Sequence, residues 1–163
     1  MNIRLLLIAL LLGAPLANAQ HRHVHGEAGL AVVIDKDTIT LSLELPLDVA
    51  VGFERAQKND KEKAALAAAE TTLSNAAALW LPTPAAHCTV QSAEAGMPKF
   101  GGGEHADVDA RYVFRCANPA ALKGIETTLF KSFKRLYRLE VQHAGPAGQG
   151  KQLLTPKAPV LNW

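Results

Sequence analysis

Two stretches with an apolar residue at every second position constrain the fold of this chain more than any other feature. They run from Ala28 to Ile34 and from Ile39 to Leu45, on either side of the polar residues Asp35-Lys36-Asp37. Successive side chains of a β-strand point to opposite faces, so each stretch has one apolar face to bury. We predict a β-hairpin over residues 28–45 with one buried face.

The rest of the chain adds further strands and one substantial helix. Asp107 to Cys116 shows the clearest alternation, and shorter strands are predicted near 87–93, 125–129, 137–143 and 152–155. The alanine-rich segment 61–79 has a single apolar stripe, a helix-capping residue before it in Asn59 or Asp60, and Pro82 after it. These elements predict an α+β domain with an antiparallel sheet of about six strands and one main α-helix.

Residues 1–19 are typical of a secretory signal peptide. Arg4 precedes an apolar stretch over 5–12, and Ala17-Asn18-Ala19 offers a small-residue cleavage pattern before Gln20. The apolar stretch is well short of the roughly 20 residues that span a bilayer, and no comparable stretch follows. We therefore expect cleavage after Ala19 and export of residues 20–163 as a single domain with no membrane anchor.

The charge balance gives no reason to expect a nucleic acid or an anionic membrane as partner. The chain has 17 Lys and Arg residues against 15 Asp and Glu residues. A strongly basic surface would be needed to attract polyanions, and the composition does not provide one.

The two cysteines, Cys88 and Cys116, both fall in segments predicted as strands. Thiols of exported proteins tend to oxidise, so we predict a disulfide that stabilises the fold by roughly 3 to 4 kcal/mol in the chain-entropy description. The alternative is a cysteine-ligated metal site, which lacks the support of a CxxC spacing.

Three histidines alternate directly after the predicted cleavage site, in Gln20-His21-Arg22-His23-Val24-His25. Side chains at positions i and i+2 of an extended chain lie on one side, about 7 Å apart, so neighbouring imidazoles can bend toward one ion. Zinc usually takes four donors, with nitrogen at about 2.0 to 2.1 Å. We predict that two of these histidines bind a metal together with ligands from elsewhere in the chain. Gly26 separates them from the strand predicted to begin at Ala28, and a turn at this glycine would break the register between the histidines and that strand. The alternative is a polar terminus without a ligand.

A second candidate site is Glu104-His105-Ala106-Asp107, at the end of the glycine-rich segment 95–104. His105 and Asp107 could supply nitrogen and oxygen donors to an ion, and a solvated loop is the alternative. Glu54 and His143 are weaker candidates. No serine or cysteine nucleophile stands beside a histidine and an acid in a recognisable hydrolase pattern.

Several further motifs follow one another along the chain. In order they are His21-x-His23-x-His25-Gly26, Glu44-x-Pro46 followed by Gly52-Phe53-Glu54, the strand 107–114 leading to Cys116-Ala117-Asn118-Pro119, Leu129-Phe130, and Gly148-Gln149 before Leu154-Thr155-Pro156. Taken together, they resemble the ZrgA-like family of zinc-regulated periplasmic proteins. The resemblance covers essentially the whole chain after the predicted leader.

The resemblance implies a periplasmic zinc-binding protein, not an enzyme, that captures or buffers zinc and assists metal-transport components of the periplasm or inner membrane. Zinc is the expected ion, and other divalent transition metals could use the same donors. Family members often have a long histidine- and acid-rich insert where this chain has only the segment 101–109 with His105. A histidine that commonly follows the Gly-Phe-Glu motif is Arg55 here. Both departures remove possible ligands.

Two other functions remain open from the sequence. One is a metal-independent interaction or accessory module of the cell envelope, in which the sheet surface matters and the histidines do not. The other is a copper monooxygenase whose amino-terminal histidine binds the ion through both its amine and its ring. That arrangement requires His21 to become the first residue, and Asn18-Ala19-Gln20 is a poor cleavage pattern for it.

Overall fold

The computed structural model describes residues 25–98, 100 and 106–163. Within these residues the strands are β1 (Glu27–Asp35), β2 (Thr38–Pro46), β3 (Trp80–Pro82), β4 (Cys88–Gly96), β5 (Asp107–Cys116), β6 (Gly124–Thr127), β7 (Arg138–Gly145), β8 (Gly148–Leu154) and β9 (Val160–Asn162). The helices are α1 (Leu47–Val51), α2 (Asp60–Leu73), α3 (Ala76–Leu79) and α4 (Leu129–Ser132). Six strands form the main sheet in the order β4-β5-β2-β1-β7-β8, and β3-β6-β9 form a second, three-stranded sheet.

The predicted hairpin over residues 28–45 is confirmed as β1 and β2. Ile34 pairs with Ile39 and Asp35 with Thr38, leaving Lys36 and Asp37 as the turn. The even-numbered residues of β1 from Ala28 to Ile34 are buried, as are the odd-numbered residues of β2 from Ile39 to Leu45. The alternation therefore identified the inner face of the two central strands correctly.

The prediction that the sheet is antiparallel is wrong at one pair. β1 and β7 run parallel, with Leu30 opposite Val141, so the main sheet is mixed. Parallel neighbours need a long connection between them, and about a hundred residues separate these two strands in the sequence. An alternating pattern specifies which face of a strand is buried, but it carries no information about the direction of its neighbour.

The predicted helix over 61–79 is divided into α2 and α3. Asn59 caps α2 by accepting a hydrogen bond from the Glu62 N–H at 2.9 Å. Asn75 accepts from the Ala78 N–H at 3.3 Å, which starts the second helix. An asparagine that bonds its own backbone in this way favours a new helix start over continuation of the old one.

The other short strands lie close to their predicted positions, but the second sheet was not predicted. Its strands have only three or four residues each. Such short segments cannot display an alternating pattern. The segment predicted as a strand over 125–129 contains the last three residues of β6, then Thr128 and the first residue of α4.

The core lies against the inner face of the main sheet, with Trp80, Tyr112 and Phe114 among its largest fully buried side chains. The Trp80 and Tyr112 rings meet edge to face, with centroids 5.6 Å apart. Burial raises the pKa of Tyr112 to about 12, and the nearby Trp80 indole acts in the opposite direction. Among the described residues no helix is long and apolar enough to cross a bilayer.

The predicted disulfide between Cys88 and Cys116 is present. The two residues lie directly opposite each other at the ends of β4 and β5, with Cα atoms 3.8 Å apart. The bridge links residues 28 positions apart, for which the chain-entropy description gives about 3.5 kcal/mol of stabilisation. It fixes the edge strand β4 to the remainder of the sheet.

Candidate metal centre

His25 lies two residues before β1. Gly26, the residue between them, fixes the position of the His25 backbone. Gly26 has a φ of +82°, a left-handed conformation that interrupts the extended chain. Its carbonyl accepts hydrogen bonds from the N–H groups of Tyr137 (2.8 Å) and Arg138 (3.1 Å). A β-carbon at Gly26 would lie 2.5 Å from the Tyr137 Cδ2 atom. The start of β7 thus determines where the His25 backbone lies.

Helix α1 brings a carboxylate to the same place. Leu47 and Val49 are buried in the core, so Asp48 between them projects toward the surface. The helix ends at Gly52, which has a φ of +89° and donates its N–H to the Asp48 carbonyl at 2.8 Å. This reversal directs the chain through Phe53 to Glu54. The Gly52-Phe53-Glu54 motif is therefore the end of a short helix and the residues after it.

The side chains of His25, Asp48 and Glu54 converge. One potential ligand atom from each lies within 4.8 Å of the others. Nδ1 of His25 is 2.7 Å from Oδ2 of Asp48. The His25 side chain is 88% exposed and the Asp48 side chain only 21%, so the imidazole is open to an ion from solvent and the carboxylate is mostly buried. Oδ1 of Asp48 is buried and makes no hydrogen bond with the described residues.

The two carboxylates make this centre favourable for cations. The hydrogen bond that the Asp48 carboxylate accepts from the ring raises the pKa of His25 above its ordinary value, and the charges of Asp48 and Glu54 act in the same direction. A divalent cation at this position would be attracted by the same two charges that stabilise the proton on the ring. One imidazole nitrogen and two carboxylates form a donor set that suits zinc and other first-row divalent ions.

Arg55, the residue after Glu54, is directed toward α2. Its guanidinium donates to both carboxylate oxygens of Glu62, at 2.7 and 2.8 Å, and lies 5.2 Å from the centre of the Phe53 ring. The pKa of Glu62 is lowered to about 2, first by the hydrogen bond from Arg55 and then by one from the Lys58 N–H. This two-pronged contact holds the segment containing Glu54 against the start of α2.

The structure describes only some of the residues that the sequence predicted as ligands. His25 belongs to the cluster, whereas His21, His23 and His105 lie outside the described residues. Asp107 begins β5 opposite Pro46 and is not a member of the cluster. His143 lies on β7, where its ring packs near Trp163 with centroids 6.5 Å apart.

Asp48 was not predicted from the sequence, and Glu54 was only a weak candidate. A single aspartate in an apolar segment gives no periodic signal, because its partner in the structure is 23 residues away. Its position between the Glu44-x-Pro46 and Gly52-Phe53-Glu54 motifs was the one available indication.

Residues 22–163 match the family described as ZrgA family zinc uptake protein. The matched region is most of the chain and includes His25, Asp48 and Glu54. A search of curated proteins found no significant match to the sequence.

Proposed function

The chain belongs to the ZrgA family of zinc uptake proteins, and from this premise we propose that it binds zinc as cargo at the His25–Asp48–Glu54 cluster. The observation that carries the proposal is the convergence of these three side chains, which come from the start of β1, from α1 and from the segment after α1. The protein captures or buffers zinc in the periplasm and supplies it to metal-transport components there or in the inner membrane.

The cluster supplies three of the four donors that zinc usually takes. We propose that His23 or His21, two and four residues before His25, supplies the remaining nitrogen. His105 and Asp107 are further proposed ligands. In support, Ala106 lies between them in the sequence, and its carbonyl accepts a hydrogen bond from the N–H of Leu47, the neighbour of Asp48, at 2.9 Å.

Protons compete with zinc at this centre. An imidazole binds a metal only in its neutral form, and the pKa of His25 is raised above its ordinary value of 6.5. Zinc affinity therefore begins to fall at a higher pH than it would for an unperturbed histidine. Binding and release of the ion are the whole of the proposed chemistry.

Location in the periplasm is supported by the disulfide, because such bridges persist in oxidising compartments. The predicted signal peptide over residues 1–19 lies outside the described residues. The amino-terminal sequence of protein recovered from the periplasmic fraction will test both predictions, since cleavage after Ala19 leaves Gln20 as the first residue.

Calorimetry with tag-free protein comprising residues 20–163 tests the proposal. We expect the variants His25→Ala, Asp48→Asn and Glu54→Gln each to weaken zinc binding by roughly 10- to 100-fold. His143→Ala is the matched control, because this histidine lies outside the cluster. Equal zinc affinity in the wild type and all three cluster variants would contradict the proposal.

A second measurement separates the contributions of the histidines. The triple variant His21→Ala, His23→Ala, His25→Ala is compared with His25→Ala alone. If His21 or His23 supplies the fourth donor, the triple variant binds zinc more weakly than the single one. Anomalous scattering at the zinc edge from metal-soaked crystals identifies the ion and its ligands directly.

A further inference from the structure

The outer face of the main sheet, opposite the core, contains a groove of about 870 Å³. It crosses five strands, from β7 through β1, β2 and β5 to β4. Small side chains leave space at the centre of the groove. A β-carbon added at Gly29 would meet nothing closer than the Glu44 Cβ atom at 4.0 Å. Pockets that bind ligands in proteins have volumes of about 300 to 1,000 Å³, so this groove is large enough for an occupant.

Carboxylates outnumber the basic groups among the charged residues of the groove. The charged residues that line it are Glu27, Glu44, Glu94, Asp109, Glu140 and Arg111. Glu27 is paired with Arg138 at 3.0 Å. In the part of the chain that the structure describes, the other four carboxylates make no ion pair or side-chain hydrogen bond. The groove therefore has a net negative potential, because Arg138 beside Glu27 and Arg111 opposite Glu94 offset only part of the carboxylate charge.

Two of these carboxylates face each other across neighbouring strands. Glu44 on β2 is directly opposite Asp109 on β5, and the residues next to them in the same row are Gly29 and Gly96. Like charges directly opposite each other in a sheet are destabilising. Glu44 is also half-buried, which reduces its hydration. A positive group bound above this pair would relieve the repulsion. Glu44 belongs to the Glu44-x-Pro46 motif and is not part of the His25–Asp48–Glu54 cluster.

We propose that this groove binds an extended segment of a partner protein that carries lysine or arginine side chains. A single metal ion does not explain the lining, since among the described residues only His25, Asp48 and Glu54 bring three ligand atoms together. Five neighbouring strands cover about 19 Å at a spacing of about 4.8 Å. That length accommodates roughly six residues of extended chain, at about 3.3 Å per residue.

One long side of the groove lies beside the metal centre. Glu27 on β1 and Pro46 on β2 belong to this side, and they lie two residues from His25 and Asp48, respectively. A partner bound in the groove would thus be adjacent to the proposed zinc site. The docking proposal itself does not require zinc, so it is tested with metal-free protein, and its failure would leave the zinc proposal intact.

Fluorescence anisotropy with protein comprising residues 20–163 tests the proposal. The probe is a labelled peptide of alternating lysine and alanine, and the comparison peptide has glutamate in place of lysine. We expect the lysine peptide to bind more tightly, and increasing salt to weaken its binding. The double variant Glu44→Gln, Asp109→Asn should weaken binding roughly tenfold, as expected for the loss of two partly exposed ion pairs.

Two further variants make the result specific. Asp35→Asn with Glu70→Gln removes the same amount of charge outside the groove and should leave peptide binding unchanged. Gly29→Leu fills the floor of the groove without removing charge and should weaken binding. Circular dichroism establishes that each variant is folded.

Several outcomes would overturn the proposal. One is equal binding of the two peptides, and another is equal binding of the lysine peptide to the wild type and the groove variants. The proposal also fails if zinc displaces the peptide from protein carrying His25→Ala, because the groove would then be a metal site. It fails as well if sedimentation shows that the groove variant abolishes a dimer, since the occupant would then be a second copy of the chain.

Discussion

Nδ1 of His25 lies 2.7 Å from Oδ2 of Asp48, although the two residues are 23 positions apart in the sequence. This contact places an imidazole from the start of β1 against a carboxylate from α1. It raises the pKa of His25 above its ordinary value.

Asp48→Asn should lower the pKa of His25 toward 6.5, since the hydrogen bond that the Asp48 carboxylate accepts from the ring is the largest cause of the upward shift. A raised histidine pKa stabilises the folded state below the unfolded-state pKa, and this contribution is lost as the pH rises through the folded-state pKa. The variant should lose that contribution. NMR titration of the imidazole protons measures the pKa, with His25→Ala used for assignment. An unchanged His25 titration would show that the contact is absent in solution.

Gly26→Ala should destabilise the fold by about 1 to 3 kcal/mol, because a side chain at this left-handed position is strained and meets the Tyr137 ring. Zinc affinity should fall with it, since Gly26 determines the path of the chain at His25. Gly148→Ala is the control. Gly148 also has a positive φ, of +114°, but nothing lies within 4 Å of an added β-carbon. This control should lose stability and keep its zinc affinity, and parallel losses of affinity would contradict the prediction.

Glu62→Gln should reduce the dependence of stability on acidic pH. The pKa of Glu62 is lowered from 4.5 to about 2. A lowered carboxyl pKa contributes stability above the unfolded-state pKa, and this contribution is lost as the pH falls toward the folded-state pKa. Urea unfolding of the wild type between about pH 4.5 and pH 2 should therefore show a loss that the variant lacks. Lys63→Met removes the exposed Lys63–Asp60 pair on the same helix and should behave as the wild type.

The double variant Cys88→Ala, Cys116→Ala should lower the free energy of unfolding by about 3.5 kcal/mol, because the bridge restricts the unfolded chain. Zinc affinity should be unchanged, since neither cysteine belongs to the metal cluster. Urea unfolding and calorimetry on the same preparation measure the two quantities. A loss of zinc binding at full stability would instead favour a role for the cysteines in metal binding.

Features that depend on neighbouring residues in the sequence were predictable. The alternation from Ala28 to Leu45 identified both the hairpin and its buried face, and Asp107 to Cys116 was predicted with the bounds that β5 has. Asn59 was recognised as a helix cap. The disulfide followed from the expected export of a chain with two cysteines.

The metal centre was predicted less completely. His25 was a candidate because of the alternating histidines, and its position in the cluster depends on the turn at Gly26. The sequence did not identify Asp48 as a candidate ligand, because a single carboxylate in the sequence cannot be distinguished from an ordinary surface residue. Its proximity to His25 becomes visible only when α1 lies beside the residues that precede β1.

By itself, the sequence determined which faces of the strands are buried, where α2 begins, and which chemical groups are available to bind a cation. The tertiary structure decided the parallel pairing of β1 with β7, the convergence of His25, Asp48 and Glu54, and the juxtaposition of Glu44 with Asp109. The physical reason is that periodicity and capping are local properties of the chain. The choice of a strand's neighbour depends instead on the packing of residues that are distant in the sequence.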